Sequence, residues 1–330
     1  MSILVVGGAG YIGSVTVEHL LAAGEAVVVL DDLSRGHREA VSPQATLVHG
    51  SMADADRLRR LFRDHSIDAV MHFAAHSLVP ESMANPLVYW ENNVAAGLVL
   101  VREMIAAGVT RFVFSSTAAT YGEPGRIPIT EDTPTIPTNT YGLTKLTFER
   151  ILADAGRAHG LRAVCLRYFN ACGATETRGE DHHPETHLIP LVLEVAAGKR
   201  PSIKIFGDDY PTRDGTCVRD YIHVVDLAQA HLLALAHLRR GGEPRIYNLG
   251  NGEGFTVKEI VAIAREVTGH PIPVEFAPRR PGDPATLVAS SDRIAADLDW
   301  RPQRGDIREI IQSAWQWHRH HPQGYASSSH

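Results

Sequence analysis

The sequence predicts an α/β protein built on a doubly wound parallel sheet of the Rossmann type, with a smaller C-terminal α/β lobe. Three observations carry that reading. Ile3-Leu4-Val5-Val6 is a short, fully apolar run, the pattern of a strand covered on both faces. A glycine-rich turn follows it directly. Apolar runs and amphipathic segments then alternate as βαβ units as far as residue 170, where the alternation breaks down. Residues 1–170 are expected to form the sheet domain, rejoined by a strand and a helix within 219–250, and residues 171–330 the second lobe. With 330 residues, 44% of them hydrophobic, there is material for both cores.

Gly7, Gly10 and Gly13 form Gly-x-x-Gly-x-x-Gly, and Gly8, Gly10 and Gly13 also satisfy Gly-x-Gly-x-x-Gly. Such a turn lets the backbone approach a pyrophosphate and aims a helix N-terminus at the anion. An amphipathic segment follows from Val15 to Ala23, then the apolar run Ala26 to Leu30, then Asp31-Asp32 at the strand end. Asp31 lies eighteen positions beyond Gly13. A carboxylate there accepts hydrogen bonds from an adenosine ribose and repels a 2′-phosphate, which favours NAD over NADP.

The alternation continues with a helix near Asp54 to His65, a strand from Ala69 to Phe73, a long helix from Pro86 to Ala107 and a strand from Arg111 to Ser115. Ligands of such sheets sit outside the carboxyl ends of the strands. His72-Phe73-Ala74-Ala75, Ser115-Ser116-Thr117 and Arg167-Tyr168-Phe169-Asn170 all fall there. Pro124, Pro128, Pro134 and Pro137 mark a loop from Gly122 to Thr140, which delivers the chain to a helix from Tyr141 to about His159. In the second lobe a loop runs to Glu185, a helix from His187 to Ala197, and a short strand from Ile203 to Gly207.

A net charge of −6 over mixed-sign segments argues against a nucleic-acid surface. Three cysteines without CxxC spacing fit a reducing compartment and no structural disulfide. No apolar run reaches membrane-spanning length, and Met1-Ser2 leads straight into a strand without a charged leader, so a cytoplasmic location is expected. Among eighteen histidines, His182-His183 with His187, and His318 with His320 and His321, invite a metal. Neither group has the helical His-Glu-x-x-His pattern or a matching Cys/Asp set, so they read as a solvated loop and a polar tail, and no metal is expected.

Tyr141 and Lys145 lie four residues apart, on one face of a helix, where a phenol and an ammonium point into one pocket. Taken alone, that spacing recurs in many helices. Together with the glycine turn and Ser115-Ser116-Thr117, it resembles the extended short-chain dehydrogenase/reductase superfamily. Within it the chain is similar to the UDP-glucose 4-epimerase family over essentially its whole length. The most specific blocks are Ile205 to Val224, Ile246 to Gly250 and Ala277 to Asp283.

The resemblance implies 4-epimerisation of a UDP-hexose, between UDP-galactose and UDP-glucose, through a transient 4-keto sugar, with NAD tightly bound. Tyr141 would be the general base. Lys145 would bind the nicotinamide ribose and lower the tyrosine pKa, and Thr117 would hydrogen-bond the reacting hydroxyl. NAD contacts are implied at Gly7, Gly10, Tyr11, Ile12, Gly13, Asp31, Phe73, Ala74, Ala75, Asn92, Ser115, Tyr141, Lys145 and Phe169. UDP-sugar contacts are implied at Thr117, Asn170, Leu188, Arg219, Arg280 and Asp283, the arginines by their bidentate fit to pyrophosphate. A homodimer is implied, the helix from Pro86 to Ala107 and the one from Tyr141 forming a four-helix bundle with a second subunit.

Nucleotide-sugar 4,6-dehydratases of this superfamily carry Asp-Glu after the Ser/Thr, where this chain has Ala118 and Ala119, which transfer no protons. A non-catalytic NAD-binding regulator commonly lacks the Tyr/Lys pair, which is intact here. Ser51 and Ser77 replace an aspartate and a lysine that some relatives place near the adenine and the pyrophosphate, and His187 replaces an asparagine near the nucleotide. Leu287 stands where the family varies between tyrosine and smaller residues beside the hexose. UDP-N-acetylhexosamines and UDP-pentoses or uronates are the alternative substrates.

Overall fold

The structure, a computed structural model, describes residues 1–280 and 283–325. Pro281 and Gly282, within the Ala277 to Asp283 block, lie outside the described residues. In chain order the elements are β1 (Ser2–Val6), α1 (Tyr11–Ala22), β2 (Ala26–Asp31), β3 (Thr46–His49), α2 (Ala55–Asp64), β4 (Ile67–His72), α3 (Val79–Ala84), α4 (Pro86–Trp90), α5 (Gly97–Ala106), β5 (Arg111–Thr117), α6 (Thr140–His159), β6 (Arg162–Tyr168) and β7 (Asn170–Cys172). There follow α7 (Leu188–Ala196), β8 (Ile203–Phe206), β9 (Val218–His223), α8 (Val224–Arg239), β10 (Arg245–Leu249), β11 (Gly254–Thr256), α9 (Val257–Thr268), β12 (Val274–Ala277), β13 (Thr286–Leu287), α10 (Asp292–Leu298) and α11 (Ile307–His320).

Seven parallel strands among the described residues form the main sheet in the order β10-β6-β5-β4-β1-β2-β3. The alternation of side chains along each strand divides the apolar runs between two cores. Ile3, Val5, Val27 and Val29 face one side, with Leu227, Ala234 and Leu238 of α8. Leu4, Val6, Val28 and Leu30 face the other, with Leu58 of α2, Leu100 of α5 and Phe148 of α6. Uninterrupted apolar runs therefore mean burial on both faces. The chain leaves β1 toward β2 on one side and returns to β4 on the other. That reversal opens the crevice at the carboxyl ends of β1 and β4.

After β6 the chain leaves the sheet. β7, β9, β11 and β13 form a small sheet, β8 and β12 pair, and α7, α9 and α11 pack around a separate apolar core containing Ile189, Val192, Ile260 and Ile310. Between these elements α8 and β10 return to the main sheet, with Ile246 of β10 opposite Cys165 of β6. Cys165, Cys172 and Cys217 are buried free thiols among the described residues. Among those residues no helix is long and apolar enough to cross a membrane.

The expected helix from Pro86 to Ala107 is interrupted. A π turn, Glu91–Ala96, separates α4 from α5. It turns the Asn93 side chain inward, where Nδ2 donates to the His76 carbonyl at 2.9 Å and to Thr144 Oγ1 at 3.1 Å, and Oδ1 accepts the His76 N–H at 2.9 Å. These bonds satisfy a buried amide that a regular helix would aim elsewhere.

Candidate active site

The glycine turn joins β1 to α1 with no space to spare. Gly7 has φ +82°, and a Cβ there would sit 2.4 Å from Ala74 N; one at Gly13 would sit 2.2 Å from the Gly7 carbonyl oxygen. At Gly10 the nearest atom to a Cβ would be 3.5 Å away, so the face toward the crevice is open. Gly10 is the N-cap of α1 and has no side-chain cap, leaving first-turn N–H groups to meet an anion. Asp31 closes β2 with Oδ2 accepting the Ala9 N–H and Oδ1 the Leu33 N–H, both at 2.9 Å. Burial raises its carboxyl above the usual range, against these two bonds. Phe73 and Ala74 both donate to the Val6 carbonyl, which pins residues 73–75 across the end of β1, and the Phe73 ring lies 4.6 Å from that of His231. The Tyr11 hydroxyl is committed to the Gly173 carbonyl at 2.5 Å, leaving its backbone and that of Ile12 on the turn. The open Gly10 face, uncapped helix terminus and Asp31 carboxylate fit a dinucleotide.

β5 and α6 bring the second set together. Gly142 lets α6 approach closely, since a Cβ there would lie 2.4 Å from the Ala119 carbonyl oxygen, and Asn139 caps the helix by accepting the Gly142 N–H at 2.8 Å. Lys145 is buried; its ammonium donates to the Ser115 carbonyl at 2.9 Å and stands 4.8 Å from the Phe114 ring centroid. Burial pulls the ammonium down to about 7, with Glu149 opposing. Ser115 Oγ and the Tyr168 hydroxyl are hydrogen-bonded. Thr117 Oγ1 accepts the Ala119 N–H at 3.1 Å and starts the 3₁₀ turn Ala118–Thr120. Burial pushes the Tyr141 phenol up to about 12 while the Thr117 hydroxyl draws it back. With burial dominant, the protein alone keeps the phenol protonated. Asn92 lies in the π turn, its amide donating to Asn93 Oδ1 at 3.0 Å.

The second lobe contributes a cationic edge. Arg219 of β9 and Arg280 both approach Asp283, at 3.8 and 3.3 Å, and the Arg280 guanidinium stacks 4.4 Å from the Phe206 ring centroid. Leu287 of β13 pairs in register with Arg219 and packs on the cluster of Ala118, Tyr121, Ile129, Phe169 and Ala289. The lobe edge carrying Arg219 is thereby seated against the carboxyl end of β5. Asn170 donates its amide to the Asp220 carbonyl at 2.8 Å, and Leu188 packs on the lobe core.

Sequence reasoning missed the polar layer beneath this site. Arg167 Nε donates to Glu149 Oε1 at 2.9 Å and Nη1 to the Tyr121 hydroxyl at 3.0 Å, while Tyr121 donates to Asn248 Oδ1 at 2.7 Å and Ser116 to Glu149 at 2.5 Å. One signal was available: Glu149 follows Lys145 by one helical turn, on the face that carries Tyr141. The reading of the 180–187 loop as solvated is corrected at His182, and His187, though 44% exposed, is held by the same Glu180 carboxylate. Each Nδ1 lies within 3.2 Å of the buried Glu180 carboxylate, because the 180–187 segment folds back on itself. His321 likewise stacks on Trp317 at 4.8 Å, at the end of α11 rather than in a free tail.

A parallel sheet with an open glycine turn at its switch point, and a Tyr/Lys helix beside it, defines a dinucleotide-dependent enzyme class. The chain belongs to the NAD dependent epimerase/dehydratase family, which it matches over residues 3–250. It is 55% identical to the UDP-glucose 4-epimerase of Halalkalibacterium halodurans, over 100% of this chain and 99% of that one. A crystal structure of a UDP-glucose 4-epimerase superposes with a TM-score of 0.97 at 54% identity, covering 99% of this chain and 100% of that one. The UDP-glucose 4-epimerase of Bifidobacterium longum in complex with NAD⁺ and UDP superposes with a TM-score of 0.94 at 38% identity, covering 98% and 100%.

Proposed function

We propose that the chain is an NAD-dependent UDP-hexose 4-epimerase that interconverts UDP-galactose and UDP-glucose. The observation that carries this reading is the seating of the Arg219 edge against the end of β5, where Leu287 packs on the cluster that includes Ala118, the residue after Thr117. It sets an anion-binding edge near a hydroxyl, a phenol and an ammonium. The sheet domain, residues 1–170 with the returning α8 and β10, holds NAD, and the lobe holds the UDP-sugar.

NAD would be held by Gly7, Gly10, Gly13, the backbone of Tyr11 and Ile12, Asp31, residues 73–75, Asn92, Ser115, Lys145 and Phe169. When bound it supplies a hydride acceptor and donor and a positively charged ring beside the phenol. Tyr141 takes the proton of the sugar 4-hydroxyl and returns it after the 4-keto sugar has presented its other face. Thr117 holds the same oxygen, and Lys145 favours the phenolate over the phenol. Arg219, Arg280, Asp283, Asn170 and Leu188 hold the UDP portion, so that binding energy remote from C4 retains the intermediate while the hexose turns. Ala118 and Ala119 provide no acid or base for elimination.

A homodimer fits the helices beside the site. Val79, Met83, Leu87, Val88, Leu98 and Leu143 are exposed on α3, α4, α5 and α6, with Leu87 72% and Met83 59% accessible. The buried free thiols fit the cytoplasm. The test is to incubate purified protein with UDP-galactose and no added NAD, expecting UDP-glucose. Turnover of UDP-N-acetylhexosamines or UDP-pentoses alone would keep the family and replace the substrate; no turnover of any of them would refute the reading.

A further inference from the structure

We propose that Glu180, His182, Glu185 and His187 form a binding site for one divalent transition-metal ion of the zinc type. Each offers one ligand atom, and the four atoms lie within 4.8 Å of one another. Glu180 Oε1 is 3.2 Å from His182 Nδ1 and 2.7 Å from His187 Nδ1. Glu185 presents its oxygens 3.2 Å from His187 Nδ1 and 3.8 Å from His182 Nδ1. Ligand atoms on a tetrahedral zinc ion, at bonds of about 2.0–2.2 Å, stand about 3.3–3.6 Å apart. Two of the four separations, 3.2 Å each, lie close to that edge, and the 2.7 and 3.8 Å separations fall on either side of it.

Hydrogen bonding inside the cluster leaves a gap. His182 Nδ1 is buried and has no hydrogen-bond partner among the described residues, although two carboxylates lie within 4 Å of it. An ion at the centre of the cluster gives this lone pair the partner it lacks, without the directional N–H···O geometry that is missing. The surroundings are those of a held ligand set. The Glu185 carboxylate is oriented by N–H groups of Thr186 at 2.6 Å and His187 at 2.7 Å. Glu180 is buried, whereas the His187 side chain is 44% exposed and leaves an entry path. Two carboxylates and two neutral imidazoles carry two negative charges, which one divalent cation neutralises.

The position gives the ion a structural task. The His182 ring meets Tyr11, the first residue of α1 at the glycine turn, edge-on at 6.3 Å, and His187 is the N-cap of α7. A metal here pins the 180–187 segment between the glycine turn and the start of α7. The assignment does not rest on the epimerase reading.

Full-length protein stripped with chelator, reloaded with Zn²⁺ alone and passed through a desalting column should retain one zinc per chain by elemental mass spectrometry. His182→Ala/His187→Ala should lose that ion, and its melting temperature should no longer rise with Zn²⁺. His183→Ala, an exposed neighbour outside the ligand set, should keep both. Co²⁺ loaded into the unaltered chain needs no variant and should give the intense visible bands of four-coordinate cobalt. Absence of retained zinc in the unaltered chain, full retention in the double variant, or the weak bands of six-coordinate cobalt would each overturn the site and leave a His–Glu ion-pair cluster.

Discussion

Replacing Lys145 tests the electrostatics of the proton carrier directly. Burial holds the Tyr141 phenol at about 12 in the protein alone. A base working near pH 7 needs it about five pH units lower, ~7 kcal/mol at 1.36 kcal/mol per unit. One positive charge at ~5 Å, the spacing of residues one helical turn apart, supplies about 3 kcal/mol at an effective dielectric near ~20. Lys145 and the nicotinamide ring together therefore supply ~6–7 kcal/mol, and neither suffices alone. Lys145→Met removes half of this and should move the ascending limb of kcat/KM up by ~2 pH units, lowering the rate at pH 7 on the order of 10²-fold. The assay is conversion of UDP-galactose to UDP-glucose across pH, with NAD content measured on each preparation so that cofactor loss is not read as slow chemistry. An ascending limb at its original pH in NAD-replete Lys145→Met, or a Tyr141→Phe protein retaining more than about a tenth of the activity, would refute the reasoning.

Other expectations concern binding and stability. Arg219→Ala should raise KM for the UDP-sugar by ~10-fold or more and change kcat far less, since the arginine would hold the remote part of the substrate; steady-state kinetics showing the reverse split would place it at the reacting centre. Glu149→Gln leaves the buried Arg167 guanidinium without its anion and should cost ~3–5 kcal/mol in urea unfolding; an unchanged midpoint would show the pair to be dispensable. His72 is buried among Phe112, Phe114 and Phe148, and burial pulls its imidazole down to about 3, aided by Lys145. The unfolded chain takes up that proton near ~6.5 and the folded chain does not, so stability is full above ~6.5 and is lost as pH falls toward 3. At pH 5 the loss attributable to His72 is ~2 kcal/mol, and His72→Leu, compared with itself at pH 7.5, should be spared that much in denaturant melts. An equal acid loss in both proteins would assign it to other groups.

What was legible in the sequence followed from local rules. Ile3 to Val6 reads as a two-sided strand because side-chain alternation needs no tertiary information, and the glycine turn announces itself because Gly7 and Gly13 are fixed by backbone crowding. Tyr141 and Lys145 could be placed on one helix face by count alone. Contacts between distant segments were hidden. Asn93 enters the interior because a π turn adds a residue between Pro86 and Ala106, and hydrophobic periodicity over so long a helix does not register a single inserted residue. Glu149 and Arg167 look like surface charges until β6 and α6 are packed together. The Glu180 to His187 segment matched no metal-binding spacing, and its side chains converge only because the loop folds back against α1, α7 and α11.

The return of α8 and β10 to the main sheet has a mechanical consequence. Leu227, Ala234, Leu235 and Leu238 of α8 fill the core against β5 and β6, beside α1, while β9, which leads directly into α8, belongs to the small sheet. The covalent chain is thus laced through both bodies, and a polypeptide ending at residue 170 would lose the outer strand beside β6 and bare the part of one sheet face that α8 covers. The two bodies are expected to melt in one calorimetric transition, and a cut between them should yield insoluble fragments rather than two working halves.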